Sequence, residues 1–285
     1  MGLTYRHAIS VVQLIIFIPS LLPSLIFVWR HGFSRSAGFI FLVIFCLLRI
    51  VGAICDLVTI SDPSSTGLYI TSAVCSSIAL SPLIMLCNGL LSRVNIFIPE
   101  RFGLFNTSLL LRLLRLVSIA GAILSIVALT KNMSMEALKH PGSLIKIAMI
   151  LFIVAWVLLL LALAILTRHV SVIQAGERRI LLAVGLSAAF ILVRLIYAIL
   201  IWFATSSVFS LYNGNNTAML IMSVMPEFAV TIVCLGMGLT LRVREPVAVE
   251  EQQCLDFRPS QGAPTREYQR VQGLRYDLPD GVQRC

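Results

Sequence analysis

A chain of 285 residues that is 58% hydrophobic and only 12% charged lies far below the roughly 25% charged content of soluble domains, and its apolar runs leave no room for a soluble catalytic domain. The formal charge of +9 would suit a nucleic-acid partner in a soluble protein, but here the basic residues flank apolar runs, where they set topology. The composition therefore predicts an all-α polytopic membrane protein, with the lipid bilayer as its partner and no nucleic acid.

Hydropathy predicts seven spans, at residues 9–29, 37–60, 67–91, 112–130, 144–166, 179–204 and 217–241, in a transmembrane domain covering 1–245. The first, Ile9 to Trp29, is too long for the apolar region of a cleavable signal and runs into Arg30 instead of a small-residue cleavage site, so it is expected to stay as a span. The second contains LLRIVGAICDL, in which Arg49 and Asp56 lie seven residues apart. That spacing returns both charges to one helix face, roughly 10 Å apart along the axis. A turn at Asp62, Pro63, Ser64 and Ser65 leads to the third span.

The third span carries Ser77, Ser81, Pro82 and Asn88 on one side, and Ser76 and Ser77 read as small residues that let helices approach closely. Trp156 in the fifth span is either core or a cavity wall, whereas Trp29 and Trp202 fit the interfacial aromatic belts. The sixth holds Arg194 and Tyr197 in FILVRLIYAIL, sharing a face at i,i+3. Beyond a turn at Asn213, Gly214 and Asn215, the seventh shows a polar stripe of Ser223, Glu227, Thr231 and Cys234. Pro226 removes a backbone donor beside Glu227 and predicts a local kink. The tail, residues 246–285, has no apolar periodicity and is expected to be disordered.

Arginines cluster after spans one, three, five and seven, while the opposite side holds Arg6 and the three lysines Lys131, Lys139 and Lys146. The asymmetry predicts a luminal or external amino terminus and a cytosolic tail. Asn132 and Asn215 begin glycosylation sequons on the luminal side, close to the membrane. The seven cysteines lie mostly within spans without paired spacing, which predicts neither a disulfide framework nor a zinc site.

An isolated charge at membrane depth costs several kcal/mol, so the intramembrane charges need partners. Depth along the spans puts Arg49, Asp56, Arg194, Tyr197 and Glu227 in one expected interior layer, where two arginines and two carboxylates would cancel. Such a layer is either an architectural ionic network or a site. The four histidines show no metal spacing, no Asp-rich pair is present to hold magnesium and a diphosphate, and no lysine lies deep in a span for a Schiff base. What remains is carboxylate chemistry with no metal and no cofactor, in which a buried acid protonates a lipophilic substrate. If Arg49 pairs with Asp56, Glu227 is the donor; if an arginine claims Glu227, Asp56 is.

LLRIVGAICDL, ERRILLAVGLSAAFILVRLIYAIL and MPEFAV, within seven short-looped spans, resemble a family of fungal heptahelical integral membrane proteins over roughly residues 5–245. That type is similar to membrane-bound meroterpenoid cyclases of secondary metabolism, which open a terminal epoxide on a prenyl chain with intramembrane acids. The resemblance implies an endoplasmic-reticulum terpene cyclase acting on a lipophilic isoprenoid. Asp56, Glu227 and Tyr197 would be catalytic, and Arg49, Arg194, Thr231 and Trp156 would bind or position. A seven-span receptor or sensor and a lipid or small-molecule transporter are the alternatives. A closed apolar pocket ending in carboxylates would favour the enzyme, an open path the transporter, and a packed ionic core the architectural reading.

Overall fold

A computed structural model describes residues 5–31, 37–62, 65–95, 107–130, 142–168, 175–203 and 216–240. The chain divides into two units, Met1–Leu241 and Arg242–Cys285. The second lies outside the described residues, as do the expectations for the tail, for Asn132 and Asn215, and for the Trp202 side chain.

The first unit is a bundle of α1 (Tyr5–His31), α2 (Ala37–Val58), α3 (Thr66–Ile78), α4 (Leu80–Asn95), α5 (Thr107–Thr130), α6 (Ser143–Arg168), α7 (Ala175–Phe203), a short α8 (Asn216–Met219), a π turn (Leu220–Val224) and α9 (Met225–Thr240). No strand occurs among the described residues. Seven segments are long and apolar enough to cross a membrane, α3–α4 and α8–α9 each forming one. They match the seven spans predicted from hydropathy.

Two spans are interrupted, and proline accounts for both. Pro82, in the first turn of α4, has no N–H to offer the carbonyl of Ile78 and its ring crowds that carbonyl, so the third span breaks at Ala79. In the seventh, the Met225 N–H reaches back five residues to the Leu220 carbonyl, giving a π turn immediately before Pro226. The kink expected at Pro226 thus takes the form of a wider turn.

The centre of the bundle is α4, which packs on α2, α5, α6 and α7, while α1 packs on both α2 and α9. Twelve of its sixteen residues are buried. The third span is the least apolar of the seven yet 67% buried, against 28–44% for the others. Lipid is as apolar as a leucine side chain, so burial inside a membrane protein goes to the helix with small and polar contacts to make. Ser81 Oγ donates to the Ser118 carbonyl at 3.1 Å and Asn88 Nδ2 to the Leu111 carbonyl at 3.2 Å, both on α5. Large apolar side chains such as Ile15, Leu116, Leu182 and Ile232 point outward instead.

Elsewhere the packing is aromatic and close. Phe17 meets Phe45 edge-on at 5.5 Å and Phe228 at 5.2 Å, joining α1, α2 and α9. A Cβ placed at Gly238 would lie 2.5 Å from the Phe27 ring, so a side chain there would force that ring or the helix to shift where α9 meets α1.

Candidate functional site

Three charged side chains meet in the interior from three spans: Arg49 on α2, Arg194 on α7 and Glu227 on α9, exposed by 5%, 3% and 1%. Glu227 is placed by the first turn of α9, directly below the π turn and Pro226. Its Oε1 accepts from Arg194 Nε at 2.8 Å and also pairs with Arg49 Nη2. Arg49 Nη2 lies 3.5 Å from Ser223 Oγ, a long contact on the π turn.

Arg194 binds a fourth element. Its Nη2 donates to the Ser76 carbonyl at 2.8 Å and to Ser76 Oγ at 3.1 Å, and its guanidinium carbon lies 5.8 Å from the Tyr197 ring centroid, within cation–π range. Ser76 is in the last turn of α3, where helix carbonyls run out of intrahelical donors, so the break in the third span presents an acceptor at this depth. The cluster therefore ties spans two, three, six and seven together.

Its accounting is unequal. Two guanidinium groups face one carboxylate, and guanidinium does not give up its proton in proteins, so the group carries +1. Among the described residues Arg49 Nε, Arg194 Nη1 and Glu227 Oε2 are buried without a hydrogen-bond partner.

Asp56 is served elsewhere, and the single five-residue layer expected from depth is corrected accordingly. Arg6 Nε donates to its Oδ1 at 2.8 Å and Ser10 Oγ to its Oδ2 at 2.7 Å, both from α1. Thr59 Oγ1 donates to the Asp56 carbonyl at 2.6 Å and lies 3.3 Å from His7 Nε2, and Arg6 stands 6.0 Å over the Tyr69 ring. The two carboxylates are thus divided between two clusters, and the expected cancellation of two arginines by two carboxylates does not occur in either.

The other sequence candidates fall as follows. Tyr197 joins the Arg194 cluster through its ring. Thr231 is buried but returns its hydroxyl to the Glu227 carbonyl at 2.8 Å, within its own helix. Trp156 stands apart, its indole N–H donating across to the Ala188 carbonyl of α7 at 3.0 Å, which makes it a helix-to-helix tie. Three residues of these clusters are not among the sequence candidates. In sequence Ser76 reads as a packing residue and Arg6 as a topology marker, while Ser10 gives no signal. Arg6 had a legible signal: it begins the first span on the side where Asp56 ends the second, so antiparallel neighbours bring them level.

A small cavity adjoins the cluster, lined by Arg194, Ser76, Ser77, Leu80, Met149, Ala198 and Ile201, with a volume of about 10 Å³. That is room for a guest of one heavy atom, and no carboxylate lines it. No curated protein and no solved structure matches this chain. A family model described as a domain of unknown function (DUF7702) matches residues 3–244, and the chain belongs to that family.

Proposed function

We propose that this chain is a seven-helix membrane sensor in which the Arg49–Glu227–Arg194 cluster is the two-state element. One observation carries the reading: a single oxygen of Glu227 is shared by arginines from two different spans while its other oxygen has no partner, directly below a π turn. A π turn holds one residue more than an α turn, so moving or dissolving it rotates the helix beyond it by about 100°. Such a rotation re-aims Glu227 and lets one arginine win, giving spans two, six and seven two discrete arrangements. A ligand that binds one arrangement better shifts the balance. The orientation that goes with this reading is an amino terminus in the lumen or outside and a cytosolic tail, from the arginine asymmetry.

A second reading keeps the cyclase. Arginines claim both carboxylates, so the pairing rule that would make Asp56 the donor no longer separates them; Glu227 Oε2, buried and unpartnered, is the atom on which an acid proton would sit, and a terpene cyclase at the endoplasmic reticulum of a fungal cell would use it to protonate an epoxide. The guanidinium groups on Oε1 and the one-atom cavity weigh against the cyclase, and the unpartnered Oε2 favours a two-state element over a fixed ionic core.

The test places a spectroscopic probe at Leu239, exposed at the far end of α9, and compares the native chain with Glu227→Gln. The sensor reading expects a second probe population when the shared carboxylate is lost. A single unchanged population in a folded variant makes the cluster a scaffold and removes the reading. Turnover of an epoxidised prenyl-aromatic substrate by the native chain, absent in Glu227→Gln, would install the cyclase instead.

A further inference from the structure

The excess charge of the central cluster needs an answer of its own. A buried guanidinium without a counter-charge is expensive in a membrane interior. Arg194 spends Nε on Glu227 and Nη2 on Ser76, and Nη1 finds no protein partner among the described residues. The same side chain, 3% exposed, lines the small cavity together with Ser76 and Ser77. Ser76 Oγ already accepts from Arg194, so its own O–H is free to donate, and Ser77 adds a second hydroxyl. Three donor-bearing residues, Arg194, Ser76 and Ser77, therefore share with the apolar Leu80, Met149, Ala198 and Ile201 the lining of a space of about 10 Å³ that includes no carboxylate.

We infer that this cavity binds one small inorganic anion of chloride size, held by Arg194, Ser76 and Ser77, which neutralises the +1 cluster. A water molecule would satisfy the hydrogen bonds but leave the charge. A carboxylate or phosphate headgroup is too large for the space. The inference rests on charge and geometry and stands apart from the sensor reading, since an anion would bind here whether or not spans two, six and seven move.

The experiment is thermal unfolding of the purified full chain in detergent, titrated with chloride at constant ionic strength against gluconate, which does not fit. The expected result is a saturable rise in Tm with chloride, reproduced by bromide. Ser76→Ala with Ser77→Ala removes two donors to a charged guest and should move the midpoint to at least about tenfold higher chloride. Glu227→Gln, which leaves the cluster at +2, should move it lower. A Tm that follows ionic strength regardless of the anion overturns the site, as does an unchanged midpoint in the double serine variant. Should that variant fail to fold, equilibrium binding of radiolabelled chloride to the native chain decides: one saturable site is expected, and none removes the proposal.

Discussion

The two buried carboxylates of this bundle are served in opposite ways. Asp56, where α1 and α2 meet, has one arginine, one serine and a donor on each oxygen, and its arginine side chain is 22% exposed. Glu227, in the interior, has two arginines on one oxygen and nothing on the other, and both arginines are buried. A balanced pair with satisfied lone pairs fastens two helices in one register. An unbalanced, partly satisfied group is where a second arrangement or a guest has something to gain.

The comparison predicts a ranked set of stability losses, read as thermal unfolding of the purified chain. Glu227→Ala leaves two guanidinium groups buried without a counter-charge and should cost about 3–5 kcal/mol, the largest loss of the set. Asp56→Asn keeps the shape and the Ser10 contact but takes the charge from Arg6, which can turn toward water; about 1–3 kcal/mol is expected. If Asp56→Asn proves the costlier of the two, the contrast between fastened and unbalanced clusters is wrong. Ser10→Ala removes one donor from Asp56 and should cost about 1 kcal/mol. Arg49→Met is the sharpest of these despite being the smallest: it leaves a one-to-one Arg194–Glu227 pair, so under about 1 kcal/mol, or a gain, is expected at a fully buried arginine. A loss there as large as that of Glu227→Ala would mean that both arginines are needed and the cluster is not in excess. Salt separates the regions too, since the partly exposed Arg6–Asp56 pair should weaken as ionic strength rises while the buried cluster stays insensitive to ionic strength as such.

The spans were legible because length and apolarity alone decide what crosses a bilayer. Arg49, Arg194, Tyr197 and Glu227 were legible as a group because intramembrane charges must find one another and their depths agree. Depth, however, does not say which way a helix face is turned. Arg49 and Asp56 share a face of one helix yet serve different neighbours, α9 and α1, and no spacing within α2 distinguishes them. The role of α4 was hidden for a related reason: Ser81 and Asn88 signal contacts without naming the helix that receives them. Ser76 became an arginine ligand through a carbonyl at a helix end, and that depends on a break whose location Pro82 marked but whose use it did not reveal.

The position of α4 also bears on how the chain enters the membrane. The third span is the least apolar of the seven and contributes polar groups that donate to α5, a helix made after it. When α4 leaves the ribosome, Ser81 and Asn88 have no partner, and exposing them to lipid is unfavourable. The first three spans are therefore expected to wait at the insertion machinery until α5 arrives. A chain truncated after Asn95 should integrate its third span poorly, and one extended through Thr130 should integrate it fully.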